Sequence, residues 1–299
     1  MSATEPDTRR RERQPFAAFR LTRTVTVQTI AVSVVAFFVF AYCFGWVRAA
    51  IGGHSFEPIV VPAATPPTVF GWLLLSIGIV ALVVVPHELL HGMVMARYGG
   101  TPSYGVGVSK FLLPYAYAET TATSYTRNQL LCALLAPLIG ITAIGLVVMT
   151  IVPSVWLVVL LAANAAGSIA DLRMAALLVA YPRDIHVGPL PTDGQGFAIY
   201  GSGASVPDRR FETGSSIVAG SVATLVVGTF SVGVLVFQSL AIGTGDVLLA
   251  GDGWLLFRHE VDADGSAQLE LGGRLVAAVT VVGGLVWATV GRVRQLITS

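Results

Sequence analysis

Long apolar runs, separated by short polar segments, dominate the chain. A helix needs roughly 20 apolar residues to cross a bilayer, and several runs meet or approach that length. They lie at residues 25–50, 69–97, 129–152, 155–181, 215–240 and 273–296. The pattern therefore predicts an all-α polytopic membrane protein with about six transmembrane helices.

The polar connections carry signals for short strands. Residues 99–127 are too polar to cross a membrane, and their glycines and mixed patterning predict a β-hairpin on the cytoplasmic side. Residues 182–214 contain several prolines and glycines, which predict an ordered cytoplasmic loop or hairpin. The acidic loop between the last two helices has Gly-Asp-Gly and Asp-Gly turn signals, which predict a small exposed hairpin. We therefore expect small β-hairpins in the connecting loops.

Composition and charge place this chain in a membrane and orient it. Hydrophobic residues make up 54% of the chain and charged residues 12%, which excludes an ordinary soluble domain. Arginines crowd the N-terminus and also lie near the ends of helices 2, 4 and 6; they are Arg9, Arg10, Arg11, Arg13, Arg20, Arg23, Arg97, Arg173, Arg183, Arg292 and Arg294. Because basic residues favour the cytoplasmic side, we expect a multi-pass protein of the cell membrane with both termini in the cytoplasm.

The sequence His87-Glu88-Leu89-Leu90-His91 lies within the second predicted helix. Positions i and i+4 share one face of a helix, so both imidazoles can reach one metal ion. With a third protein ligand, zinc keeps a position for water and lowers the pKa of that water to about 7. Glu88 can then act as general base toward the water and as general acid toward the leaving amine. The motif predicts one Zn²⁺ ion, with a satisfied polar pocket or a helix-end cluster as the alternative.

The third ligand must come from the same side of the membrane as the motif. The acids and histidine available there are Glu119, Asp171, Asp184, His186, Asp193, Asp208 and Glu212. Counted from Arg97, Glu88 lies about 14 Å deep, and counted from Arg183, Asp171 lies about 18 Å deep. Helices 2 and 4 run in the same direction, so these depths agree, and Asp171 is the predicted third ligand. A buried ion pair between Asp171 and Arg173, or a ligand from a loop, stays open.

Asn164, Ser168 and Asp171 form a polar stripe at positions i, i+4 and i+7 of the fourth predicted helix. Such a stripe must face protein or water. On a regular helix Asn164 is about 10 Å from Asp171 along the axis, too far to bind the same ion. We expect Asn164 and Ser168 to contact a substrate strand or to hold helices together by hydrogen bonds, and the backbone of helix 2 is a further candidate partner for Asn164. Pro137 predicts a kink in the third helix.

The motif, the glycine-rich hairpin, Leu135-Ala136-Pro137, and Asn164 with Asp171 on a later helix together resemble a known family. This is the family of putative zincin membrane peptidases, long catalogued as a domain of unknown function. More distantly, the arrangement is similar to site-2 proteases, in which two histidines and a later aspartate bind zinc. The resemblance covers roughly residues 70–200 and implies that the hairpin around 104–118 offers a strand edge to substrate.

These inferences divide the chain into four segments. They are a basic cytoplasmic tail (1–24), a first transmembrane helix with an outer loop (25–68), a zincin-like membrane peptidase core (69–200), and two C-terminal transmembrane helices with an acidic outer loop (201–299). We expect a zinc-dependent metallopeptidase that cuts peptide bonds within or next to the membrane. Its expected partners are the lipid bilayer and a membrane protein or peptide substrate, with no nucleic acid.

Three alternatives remain at this point. A non-catalytic peptidase-like membrane protein could serve as a sensor, scaffold or chaperone. A transporter would use its intramembrane polar residues as an ion path, but the sequence shows no broken helices in symmetric halves. A membrane zincin of the prenyl-protein or heat-shock type would need a glutamate on a later helix, and helices 3 to 6 contain none.

Overall fold

The computed structural model describes most of the 299 residues of the chain. The described ranges are 15–54, 59–61, 66–108, 114–120, 124–191, 196–201, 209–242, 247–251, 254–261 and 267–298. Residues named in the sequence-based predictions that lie outside these ranges are Arg9, Arg10, Arg11, Arg13, Asp193 and Asp208. Glu212 lies on a helix, but its side chain is also outside the description.

Within these ranges the protein is mostly helical. The helices are α1 (Arg23–Gly52), α2 (Pro66–Arg97), α3 (Arg127–Ile151), α4 (Val155–Gly167), α5 (Ile169–Val179), α6 (Arg209–Ile242) and α7 (Gly273–Thr298). Four helices, α1, α2, α3 and α6, contain a segment long and apolar enough to cross a membrane, and α4 with α5 adds a fifth if the pair counts as one span. The apolar part of α7 covers Val276–Gly291, which is short for a span. Four or five candidate spans are therefore shown, and the predicted sixth is not.

The single helix predicted at 155–181 is two helices. The axes of α4 and α5 differ by 43°. The break is at Ser168, whose ψ of 0° departs from the helical value of about −42°. The hydroxyl of Ser168 donates to the Asn164 carbonyl at 2.9 Å, while the Ser168 amide donates to the same oxygen at 3.0 Å. This local geometry turns the chain, so the assumption of a regular helix was wrong.

The described strands form three antiparallel sheets. They are β1 (Ala17–Arg20), β2 (Ile59–Val61), β3 (Pro102–Val108), β4 (Pro114–Thr120), β5 (Tyr125–Thr126), β6 (His186–Gly188), β7 (Gly196–Tyr200), β8 (Val247–Gly251), β9 (Trp254–Val261) and β10 (Ala267–Leu271). The sheet orders are β1-β7-β6-β5, β2-β10-β9-β8 and β3-β4. The hairpin predicted within 99–127 is β3–β4. The other described strands form two four-stranded sheets and not isolated hairpins, because strands far apart in the sequence pair with one another.

The contacts within the chain define two compact units. The first comprises Met1–Gly52 and Ile77–Pro207. Its core has one cluster between α1, α3 and α4, which includes Phe44, Met149 and Leu161, and a second cluster where α3 and α5 meet the first sheet. These clusters hold α3, α4 and α5 in fixed positions.

The second unit comprises Gly53–Ser76 and Asp208–Ser299. Helices α6 and α7 pack closely because Gly220 lies against Trp287 and Gly283 lies against Thr224. Its sheet carries the exposed Arg258, which forms ion pairs with Glu260 at 3.6 Å and with Glu270 at 3.5 Å.

Helix α2 ends in a motif that sets the start of the β3–β4 hairpin. Gly99 has a φ of +88°, a conformation that favours glycine. The Gly100 amide donates to the Met95 carbonyl and the Gly99 amide donates to the Ala96 carbonyl, both at 3.0 Å. These bonds satisfy carbonyls at the helix end and reverse the chain, as in a Schellman motif. The hairpin can therefore fold back along α2.

Candidate metal centre

Both histidines of the motif face the interior of the first unit. They follow Pro86 on α2, and their side chains are buried, with 7% exposure for His87 and 6% for His91. The imidazole centroids are 4.9 Å apart, as the i and i+4 spacing predicts. Two imidazoles of a mostly apolar helix therefore lie side by side in the buried interior of this unit.

Asp171 completes this cluster from the first turn of α5. Its Oδ2 atom lies 3.3 Å from His87 Nε2 and 3.4 Å from His91 Nε2. One ligand-capable atom from each residue lies within 4.8 Å of the others, and all three residues are buried. Among the described residues this is the one such group of histidine, cysteine and acidic side chains.

The other ring nitrogen of each histidine has its own hydrogen-bond partner. His91 Nδ1 is 2.8 Å from the carbonyl oxygen of Ala133 on α3. A carbonyl only accepts, so Nδ1 of His91 carries a hydrogen and donates it. His87 Nδ1 is 3.0 Å from Oδ1 of Asn164 on α4. The amide nitrogen of Asn164 is 3.2 Å from the Pro137 carbonyl, which assigns Oδ1 to His87 as the acceptor.

These partners leave three acceptor atoms facing one another. In a neutral imidazole with hydrogen on Nδ1, the Nε2 atom has a lone pair and no hydrogen. Two such lone pairs meet the Asp171 carboxylate oxygen in a buried site. A proton can bridge one nitrogen–oxygen pair, whereas a metal cation satisfies all three atoms. The donor set therefore fits a cation.

Two of the three ligand spacings are compatible with zinc, and the third, between the nitrogens of His87 and His91, is within 4.8 Å. Ligands at about 2.0–2.1 Å from a tetrahedral centre are about 3.3–3.4 Å apart, whereas octahedral geometry at the same bond length gives about 2.8–3.0 Å. The observed nitrogen–oxygen distances are 3.3 Å and 3.4 Å. Two histidine nitrogens and one carboxylate oxygen match the ligands of catalytic zinc sites, in which a fourth position stays open.

Glu88 lies beside this cluster but points to a different neighbour. Its half-buried carboxylate accepts a hydrogen bond from the backbone of Ala118 on β4. The same hairpin contacts α2 one turn later, where the phenol of Tyr104 packs directly on Gly92. A side chain larger than glycine at position 92 would meet that phenol. The β3–β4 hairpin thus covers the flank of α2 that carries Glu88.

The structure contradicts the ion pair between Asp171 and Arg173. The Arg173 guanidinium instead donates to α1, at 3.4 Å from the Val25 carbonyl, 3.5 Å from Thr29 Oγ1 and 3.2 Å from Gln28 Oε1. The alternative ligands are exposed and do not belong to the buried group; they are Glu119 on β4, His186 on β6 and Asp184. Asp171 is the residue that the fold brings to both histidines.

Sequence reasoning missed the backbone partners of this centre. Ala133 and Ala118 contact the motif through main-chain atoms, which no side-chain pattern reveals. Ser168, one of the predicted stripe residues, bonds the Asn164 backbone and is fully buried. One signal was present in the sequence, since a proline in helix α3 frees a carbonyl oxygen one turn earlier.

A buried pair of histidines with an aspartate, set on apolar helices beside a glutamate, defines a candidate membrane metalloprotein. A family model described as putative zincin peptidase matches residues 80–186, which include the motif, Asn164 and Asp171. The resemblance to this family is therefore confirmed over that segment. No curated protein and no solved structure matches the chain, and similarity to site-2 proteases is not shown.

Proposed function

We propose that this protein is a zinc-dependent membrane metallopeptidase that hydrolyses peptide bonds within or next to the bilayer, in the manner of a site-2 protease. The convergence of His87 Nε2, His91 Nε2 and Asp171 Oδ2 carries this proposal, because three buried acceptors without a cation are costly. These residues would hold one Zn²⁺ ion. When bound, zinc supplies Lewis acidity that lowers the pKa of a water ligand to about 7.

The residues around the three proposed ligands would transfer protons or orient the ligands. Glu88 would take the proton of the attacking water on its carboxylate and later give it to the leaving amine nitrogen. Asn164 orients His87 by accepting from Nδ1, and the Ala133 carbonyl orients His91 in the same way. Ser168 supports Asn164 through the carbonyl of that residue. Metal ligation and proton transfer are thus assigned to separate side chains.

The proposed substrate is an extended segment of a membrane protein, because amides within a helix are shielded by their own hydrogen bonds. Strand β4 pairs with β3 on one edge and with no other strand among the described residues. In a two-stranded ladder, backbone groups alternate between the partner strand and the free edge. The backbone of Ala118 reaches Glu88, so the free edge of β4 lies beside the proposed base. An unwound substrate could add there as a third strand.

We also propose the orientation and the six-span topology in which both termini are cytoplasmic. Arg20 and Arg23 lie at the start of α1, and Arg97 ends α2. The positive-inside tendency then assigns these ends to the cytoplasm and the candidate metal centre to the cytoplasmic half of the membrane. Cleavage would occur near that face.

A single substitution tests the peptidase proposal. The purified full-length protein would be placed in nanodiscs with a panel of single-span model peptides that carry an extended stretch near the cytoplasmic end, and products would be read by mass spectrometry. Glu88→Gln should retain zinc and give no product. Glu260→Gln, the same change on the other unit, should cleave like the wild type. Wild-type cleavage by Glu88→Gln would refute the mechanism, and a zinc-loaded wild type without products would favour a non-catalytic role.

A further inference from the structure

Pro137 lies in the middle of α3. Its side chain is fully buried. In an α-helix each amide donates to the carbonyl four residues earlier, and proline has no amide hydrogen to donate. The carbonyl oxygen of Ala133 therefore lacks its usual helical partner. A proline inside a helix is costly unless the freed carbonyl finds another donor.

His91 supplies that donor. Its Nδ1 atom lies 2.8 Å from the Ala133 oxygen, and both groups are buried. The bond fixes the ring orientation and keeps the hydrogen on Nδ1. The opposite nitrogen, Nε2, is thereby left as a lone pair facing Asp171 at 3.4 Å. The missing amide hydrogen of Pro137 thus leaves the Ala133 carbonyl available to orient His91.

Pro137 also contacts the second histidine through Asn164. The Pro137 carbonyl accepts a hydrogen bond from the Asn164 amide nitrogen at 3.2 Å. This bond turns Oδ1 of Asn164 toward His87 Nδ1, at 3.0 Å. Asn164 is fully buried, so no solvent competes for its amide group. The missing amide hydrogen of Pro137 therefore affects His91, and the carbonyl oxygen of Pro137 affects His87 through Asn164.

We propose that Pro137 is a positioning residue of the metal centre. It orients His91 through the Ala133 carbonyl, which it leaves without a helical donor, and it orients His87 through its own carbonyl, which holds Asn164. This inference rests on the proposed function, because it assumes that His87 and His91 bind zinc. It differs from a simple kink in one respect: the absence of one N–H group, and not the shape of the side chain, is what matters for His91.

The test compares two replacements at position 137 in the full-length protein. Pro137→Ala restores an amide that can donate to the Ala133 carbonyl, so that His91 would share this acceptor and be held less firmly. Zinc affinity, measured by chelator competition, should fall about 10- to 100-fold, the range typical of lost outer partners of metal ligands. The thermal unfolding midpoint of the metal-free protein should stay equal or rise, because alanine favours the helix. Pro153→Ala, a proline outside the helices, should keep wild-type zinc affinity.

The second replacement isolates the N–H group. Lactic acid introduced at position 137 by nonsense suppression has the alanine side chain but no amide hydrogen, so it should recover most of the lost zinc affinity. The Nδ1 signal of His91 in nitrogen-15 spectra should shift in Pro137→Ala and return with lactic acid. Equal zinc affinity in wild type and Pro137→Ala, or equal loss with alanine and lactic acid, would overturn the inference. A wild type that binds no zinc would instead overturn the proposed function.

Discussion

Asp171→Asn should have opposite effects on the metal-free and the zinc-loaded protein. The Oδ2 atom of Asp171 lies 3.3 Å and 3.4 Å from two Nε2 atoms that have lone pairs when the imidazoles are neutral. An NH₂ group in its place can donate one hydrogen to each nitrogen. Without metal and with both imidazoles neutral, two acceptor contacts become two hydrogen bonds. With zinc, the only anionic ligand of the group is lost.

The expected magnitudes follow from these contacts. Each new hydrogen bond contributes about 0.5–1.5 kcal/mol, so the metal-free variant should gain about 1–3 kcal/mol in the free energy of unfolding. For a chain of this size that corresponds to an unfolding midpoint about 2–6 °C higher. Zinc at about 100 times its dissociation constant should stabilise the wild type by about 2.7 kcal/mol. The variant should show no such gain.

The assay is thermal unfolding of the purified protein at pH 8.5, with EDTA and with zinc. Asp184→Asn, which changes an exposed aspartate of the same unit, should behave as the wild type in both conditions. A zinc-dependent rise of wild-type size in Asp171→Asn would refute the ligand assignment. A lower midpoint in EDTA would refute the view that bare acceptors face one another.

Three further variants probe the surroundings of the centre. Asn164→Ala should weaken zinc binding about 10- to 100-fold in chelator competition and lower the unfolding free energy by about 1–3 kcal/mol, since His87 Nδ1 loses its acceptor; unchanged zinc affinity would contradict this role. Arg173→Gln should lower the free energy of unfolding by about 1.5 kcal/mol, because its hydrogen bonds to α1 are lost. Its zinc affinity should stay at the wild-type value, and a loss of zinc would show that Arg173 acts on Asp171. Gly92→Ala should displace the hairpin at a cost of about 1–3 kcal/mol and raise its protease sensitivity, and Tyr104→Ala in the same chain should reverse both changes.

The sequence contained enough information to find the residues of the cluster. Helical periodicity placed His87 and His91 on one face, and counting 1.5 Å per residue from the arginines brought Asp171 to a similar depth. The structure brings these three side chains together. For His87 and His91 that agreement came from short-range geometry, which a regular helix fixes without knowledge of the tertiary fold. The depth count for Asp171 assumed a helix as far as Arg183, whereas α5 ends at Val179.

The features that sequence reasoning missed depend on departures from regular geometry or on distant pairing. The 43° bend between α4 and α5 arises at Ser168, and Asn164 contacts His87 from the helix before the bend. The roles of Ala133 and Ala118 belong to backbone atoms. The pairing of β1 with β7 joins residues far apart in the chain, and no local pattern encodes it.

The zinc centre itself is tested most directly by X-ray absorption at the zinc edge, together with metal analysis, on the purified full-length protein. We expect about one zinc per chain, bound by two imidazole nitrogens and oxygen at about 2.0–2.1 Å, with no sulfur ligand. Replacing His91 by alanine should remove one imidazole from the spectrum. Substoichiometric zinc in protein purified without chelators, sulfur coordination, or an unchanged spectrum in His91→Ala would contradict the proposed centre.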